Sequence, residues 1–221
     1  MTRFAFAALL VCGMFLLHSN ARAQCPAASW PTRDQCAGNP WNGPAQGGPV
    51  TLWLGSCQVT YTYCWRQCDQ DLPGWPVTYY EYVLESVTPV PGCTACDNIT
   101  PDSMIRALVH VLQTTGDNGG PPPPYCGNDT TLYTVAYAMD CWEDVPYQFN
   151  GQWYNSYIAC GDPNDYCVTK CEICQQGYNG PYVYSNCSST SYDDGTCNPL
   201  PSPDLWVPNV CYDIQVCGGP N

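Results

Sequence analysis

The sequence predicts a mainly β protein with one short helix per repeat, built as two tandem disulfide-stabilised hairpin or sheet units, the second helix truncated. Three observations carry this expectation. The chain has 18 cysteines in 221 residues, a density that belongs to an oxidising compartment where thiols become cross-links. The stretch Cys57-Gln-Val-Thr-Tyr-Thr-Tyr-Cys64-Trp-Arg-Gln-Cys68 returns as Cys160-Gly-Asp-Pro-Asn-Asp-Tyr-Cys167-Val-Thr-Lys-Cys171, spaced C-x6-C-x3-C both times. Residues on either side of Pro73-Gly74 alternate with a period of two in β-favouring types, which is strand patterning.

Residues 1–23 read as a secretory leader. Met1-Thr-Arg3 is its positive end, Phe4 to Leu17 its apolar run, and Ala21-Arg22-Ala23 its small-x-small cleavage site. No second long apolar run follows, so no membrane span is expected. Loss of the leader removes Cys12, Arg3 and Arg22, leaving 17 cysteines and moving the formal charge from −13 to about −15. A chain so acidic repels nucleic acid and anionic lipid, and neither is an expected partner.

Copy one covers residues 24–115. Its first part, to residue 49, is rich in turn signals such as Asn42-Gly-Pro44 and Gly47-Gly-Pro49. It reads as an extended arm held by Cys25 and Cys36. In the next stretch Val59, Tyr61, Tyr63 and Trp65 alternate with Thr60, Thr62, Cys64 and Arg66. After the turn, Tyr80, Tyr82 and Leu84 share one face, and Glu81, Val83 and Glu85 the other. These two runs form a long hairpin. Thr100-Pro101-Asp102 is a helix start with a hydroxyl cap, Pro at the first helical position and an acid in the first turn. Met104, Ile105, Leu108, Val109 and Leu112 form its apolar stripe, and this helix is expected on one face of the sheet.

Residues 116–125 are a Gly/Pro linker, with Pro121 to Pro124 holding it extended. Copy two covers 126–208. Cysteines 25, 36, 57, 64, 68 and 93 have gaps of 10, 20, 6, 3 and 24 residues; cysteines 126, 141, 160, 167, 171 and 197 have gaps of 14, 18, 6, 3 and 25. Trp41 and Trp142 both closely follow the second cysteine, and Ser202-Pro203-Asp204 matches the helix start before Pro208 cuts it short. The expectation is a tandem duplication.

The disulfide framework is expected to use Cys25, Cys36, Cys57, Cys64, Cys68 and Cys93, and Cys126, Cys141, Cys160, Cys167, Cys171 and Cys197. On a regular strand Cys64 and Cys68 lie roughly 13 Å apart, too far for a mutual bond, so each must reach another segment and their strand reads as the sheet's hub. Cys174 and Cys187 flank Gly177-Tyr-Asn179-Gly180 and are expected to bridge the second hairpin. Cys96, Cys211 and Cys217 remain, and one of them is expected to be an odd or inter-chain thiol.

The tail, 209–221, alternates Val210, Tyr212, Ile214 and Val216 with Cys211, Asp213, Gln215 and Cys217. It reads as a strand that either completes the protein's own sheet or adds to the sheet edge of a neighbouring copy.

No catalytic constellation is found. His110 is the one histidine after the leader, on the polar side of the helix with Arg106 and Gln113. No Gly-x-Ser-x-Gly elbow is present. Cys93-Thr-Ala-Cys96 precedes its helix by several residues, unlike a redox dithiol at a helix start. Glu81, Glu85, Glu143 and Glu172 read as solvated acids. No metal site is expected; calcium is the one cation for which acidic loops such as Asp162-x-Asn164-Asp165 offer oxygen ligands, and none completes a calcium-loop pattern. Asn98-Ile-Thr100, Asn128-Asp-Thr130 and Asn186-Cys-Ser188 match the glycosylation acceptor.

The expected function is therefore a secreted structural or self-associating protein, an extracellular surface, matrix or fibre subunit, with further copies of itself as partner and no enzymatic activity. The alternative is a carbohydrate-binding module using exposed rings drawn from Trp30, Trp41, Trp53, Trp75, Trp142 and Trp153. Tyr63-Cys64-Trp65-Arg66, Pro91-Gly-Cys93-Thr-Ala-Cys96 and Cys141-Trp142 with the cysteines after it resemble those of secreted cysteine-rich bacterial repeat proteins of uncharacterised function. That resemblance implies no activity.

Overall fold

The structure is a computed structural model that describes residues 25–27, 30–31, 36–42, 49–72, 75–114, 124–127, 131–162, 164–178, 180–192, 197–199 and 206–214. The leader, most of the linker, the second helix start, Val216 and Cys217 lie outside the described residues. Its strands are β1 (Val50–Leu54), β2 (Cys57–Leu72), β3 (Trp75–Pro89), β4 (Thr131–Met139), β5 (Cys141–Phe149), β6 (Gln152–Ala159), β7 (Tyr166–Gln175), β8 (Tyr182–Tyr192) and β9 (Cys211–Asp213). A 3-10 turn (Thr94–Asn98) leads into helix α1 (Pro101–Thr114).

All nine strands belong to one mixed sheet. β2 and β3 form the expected long hairpin, with Leu72 opposite Trp75 at its tip. The hub, however, is β3 and not β2. β3 pairs with β2 along its length, in parallel with β4 from Val77 to Leu84, and with β6 at Ser86 and Val87. The parallel pair follows from the chain leaving β3 through α1 before returning, the crossover that parallel strands require.

The two faces of the sheet carry different cores. On one, α1 lays down Met104, Ile105, Leu108, Val109 and Leu112, all buried, against Tyr80, Tyr82, Leu84, Leu132 and Ala136. Each such side chain contributes about 1.5–3 kcal/mol by leaving water, so this stripe holds the helix where its sequence pattern places it. On the other face Trp30 and Trp41 of the arm pack with Tyr137 and Tyr166, ring centroids 5.3 to 6.1 Å apart.

That arm face also buries an ion pair. Arg66 and Glu81 are direct cross-strand partners, and Arg66 Nε donates to Glu81 Oε2 at 2.5 Å with both side chains fully buried. The Trp41 ring lies 4.2 Å from the guanidinium carbon, and Arg66 also donates to the Asn39 carbonyl at 3.3 Å. Glu81 is thus no solvated acid. Glu85 is not one either: it is the extra residue where the β2–β3 register shifts between Thr62 and Tyr63, and it is buried. Burial pushes its carboxyl up to about 7.

Among the described residues the matched cysteine spacing is not accompanied by matched strands. The stretch between Cys126 and Cys160, which the spacing matches to that between Cys25 and Cys57, carries three strands, β4 to β6. Leu132-Tyr-Thr-Val-Ala-Tyr-Ala-Met139 is a proline-free β-favouring run, whereas the arm is broken by Pro and Gly. Trp41 and Trp142, matched in sequence, lie in different cores.

The disulfides differ in the same way. Cys64 bonds Cys25 and Cys68 bonds Cys36, so the β2 pair reaches out to the arm. The other pairs are Cys57–Cys96, Cys126–Cys174, Cys141–Cys197, Cys160–Cys211 and Cys171–Cys187, and Cys167 is bonded as well. Cys174 and Cys187 are therefore not a pair. Register forbids it: Cys174 stands opposite Val183, four residues along β8 from Cys187. A bulge opposite Cys171, with Asn186 at φ 50°, sets Cys187 beside Cys171 instead, Cα atoms 4.1 Å apart. Cys96 and Cys211 are not odd thiols either. Among the described residues the free cysteine is Cys93, which the spacing had placed in the framework.

The tail strand is used at home. β9 pairs antiparallel with β5, Cys141 opposite Asp213 and Glu143 opposite Cys211. Tyr212 and Ile214 are buried, and Arg106 of α1 donates to the Ile214 carbonyl at 2.9 Å. Strand donation through Tyr212 and Ile214 is thereby corrected, because both side chains are buried and their strand is paired within the protein's own sheet; Val210 precedes that strand and is half-buried. Among the described residues no helix is long and apolar enough to cross a membrane.

Candidate functional site

The β5–β6 hairpin continues the sheet on the far side of β3 from β4 and shares the helix-bearing face through Trp142 and Tyr157. Its register places Asp144 opposite Tyr157 and Gln148 opposite Trp153. Alternation then puts Asp144, Trp153, Asn155 and Tyr157 on one side, together with buried Trp142. Two further segments rise beside this side. One is the 3-10 turn with the start of α1. The other is the stretch from Trp206, which Asn209 fastens by donating to the Asp144 carbonyl at 2.9 Å.

Between them lies a cleft of about 650 Å³, within the range of small-molecule sites. Its aromatic side is built from Trp153, Tyr157 and Trp206. Tyr157 and Trp206 meet edge to face, centroids 5.6 Å apart at 73°. Trp206 in turn rests on Tyr212 at 5.2 Å, so β9 fixes its position. Trp153 stands at the mouth with 70% of its surface exposed. The opposite wall offers Asp97, Asn98 and Thr100.

Asp144 is the informative group. Only 3% of it is exposed, and its Oδ1 has no hydrogen-bond partner among the described residues. Burial pushes its carboxyl up to about 6. Tyr157 is pushed up to about 12, first by burial and then by the neighbouring Asp144 charge. An orphaned buried carboxylate oxygen costs about 1–3 kcal/mol or more. Asp144 also lines the cleft, so a guest that brings O–H or N–H donors meets a carboxyl acceptor there.

Of the tryptophans expected to be available for stacking, Trp30, Trp41 and Trp142 are buried, while Trp53 and Trp153 are exposed; the Trp75 side chain lies outside the described residues. Trp53 is on β1, away from the cleft lining. No line of coplanar rings joins them among the described residues. Sequence reasoning missed Asp144, Tyr157 and Trp206. One signal was present: Asp144 shares strand parity with Trp142, so an acid is aimed where a core ring is aimed. Glu143, on the other parity, is half-buried, and Glu172 accepts hydrogen bonds from Tyr133 at 3.0 Å and Asn186 at 2.6 Å. His110 is exposed on α1, as its helical position predicts.

Cys141, Asp165 and Cys197 gather close enough to resemble a metal-ligand set, but the two sulfurs are joined as a disulfide and offer no thiolate. Comparison of the chain with protein-family models, with curated proteins and with solved structures finds no match.

Proposed function

We propose that this chain is a secreted, non-catalytic binding protein whose cleft takes a carbohydrate. The observation that carries this reading is Asp144, a buried carboxylate with an unsatisfied oxygen, set among Trp153, Tyr157 and Trp206. Sugars present both features such a site needs, an apolar ring face for the aromatic side chains and hydroxyl donors for the acid. Asn98, Asn155 and Gln152 add amides around the same space. The disulfides suit an oxidising, extracellular setting.

The test is isothermal titration and affinity electrophoresis against a panel of soluble oligo- and polysaccharides. Trp153→Ala and Asp144→Ala are each expected to weaken binding of the best ligand about tenfold to a hundredfold, since a hydrogen bond to a charged group contributes roughly 1.5–3 kcal/mol. Trp53→Ala is expected to leave it unchanged. Binding confined to cationic ligands and abolished by salt, or unaffected by either cleft variant, overturns the reading.

A self-associating surface or fibre subunit is the second reading. It is favoured by β8, which stands at one end of the strand order among the described residues and is largely exposed. Concentration-dependent filaments in electron micrographs of the purified protein support it; a monodisperse monomer removes it.

A further inference from the structure

Three cysteines meet where the 3-10 turn crosses the start of β2. Cys57 and Cys96 are bonded, Cα atoms 4.6 Å apart. The free thiol of Cys93 accepts a hydrogen bond from Gln58 N–H at 3.3 Å and lies 3.6 Å from the Ser56 carbonyl. Cys96 Sγ lies 3.5 Å from the carbonyl of the same Gln58. The free thiol and the disulfide thus flank one residue of β2.

The local backbone brings Cys93 and Cys96 within bonding reach of each other. Cys96 N–H donates to the Cys93 carbonyl at 3.0 Å, closing a turn whose end Cα atoms lie within about 7 Å. A disulfide spans Cα separations of about 4.4–6.8 Å. Cys96 therefore has two partners to choose between, Cys57 on β2 and Cys93 within its own turn. Both Cys93 and Cys96 line the cleft.

We propose that Cys93 and the Cys57–Cys96 disulfide form a thiol–disulfide exchange site that switches the 3-10 wall of the cleft between a tied and a released state. Cys93 loses its proton and its thiolate attacks Cys96 Sγ. The Cys93–Cys96 bond forms as the Cys57–Cys96 bond breaks, and the electron pair leaves on Cys57 Sγ, which takes up a proton. No electrons are gained or lost overall, so no outside oxidant or reductant takes part. In the tied state the wall is bonded to β2; in the released state the turn is closed on itself and Cys57 is the free thiol. The Gln58 N–H, donating to Cys93 Sγ at 3.3 Å, holds that sulfur against the start of β2. This exchange does not depend on the cleft's ligand being a sugar.

The experiment is disulfide mapping of the full secreted chain without reduction. The protein is held in mildly alkaline buffer for increasing times, quenched with excess N-ethylmaleimide in mild acid, digested with pepsin and analysed by mass spectrometry. The expected result is label on Cys93 at the outset, then a growing population with label on Cys57 and a Cys93–Cys96 bridge. Cys93→Ser removes the Cys57 label entirely. In Cys57→Ser the remaining two cysteines are expected to be bridged to each other. The proposal is overturned if Cys57 never takes label while Cys93 does, if Cys57 labelling persists in Cys93→Ser, or if folded Cys57→Ser carries free thiols at both Cys93 and Cys96.

Discussion

Glu81→Leu is expected to destabilise the protein by about 3–5 kcal/mol, because removing one partner of a buried pair leaves the other charge uncompensated. The cause is specific. Arg66 is fully buried, with its guanidinium against the Trp41 ring and its Nε committed to Glu81. It also donates to the Asn39 carbonyl at 3.3 Å, a neutral group that cannot replace a carboxylate. Arg66→Met leaves the opposite orphan: Glu81 keeps Tyr137, whose hydroxyl stands 3.5 Å from Oε1, but loses its counter-charge. The double variant Arg66→Met/Glu81→Leu is expected to recover most of the loss, since apolar side chains of similar volume satisfy a dry site as well as an ion pair does. Urea unfolding under non-reducing conditions measures all three variants. A single-variant loss below about 1 kcal/mol, the range of exposed pairs, shows that water reaches the pair.

The same pair shows where sequence reading succeeds and where it stops. The alternation in 57–68 and 77–87 made the hairpin legible, because strand period is a local property. The stripe from Met104 to Leu112 made α1 legible for the same reason. That Cys64 and Cys68 must bond elsewhere followed from strand rise alone. Arg66 and Glu81 were not legible as partners: they become opposite only once the turn and the single-residue bulge at Glu85 fix the register. The cysteine repeat misled at a higher level. Spacing along the chain was matched between the halves, but pairing depends on which strands are neighbours, and β3 sits beside β4 while β7 takes the other side of β4. The cleft was the least legible feature. Asp144 and Tyr157 face each other across β5–β6, and Trp206 arrives from beyond the last long strand. Only tertiary pairing brings them together.

Two buried acids give the protein an unusual dependence of stability on pH. Glu85 is pushed from 4.5 up to about 7 and Asp144 from 3.8 up to about 6, both by burial. When a folded-state value lies above the unfolded one, the folded chain binds more protons than the unfolded chain between the two values. Stability then falls as pH rises through that window. The protein is therefore expected to be most stable near the lower edge, about pH 4–5, and to lose on the order of 5 kcal/mol by pH 8, with each tenfold change in proton affinity contributing about 1.4 kcal/mol. For a chain of this size that is roughly 10–20 °C in Tm. Calorimetry across this range checks it. Glu85→Gln is expected to flatten the upper part of the slope and Asp144→Asn the lower part; a melting temperature that rises from pH 5 to pH 8 contradicts the assignment. The two acids separate again when the cleft is filled. A ligand donating to Asp144 favours its charged form, so saturation is expected to remove the Asp144 part of the slope and leave the Glu85 part intact. Binding must by the same linkage strengthen as pH rises through about 6 and release a proton. A neutral sugar has no titrating group of its own in this range, so that release, measured in buffers of different ionisation heat, assigns the proton to Asp144.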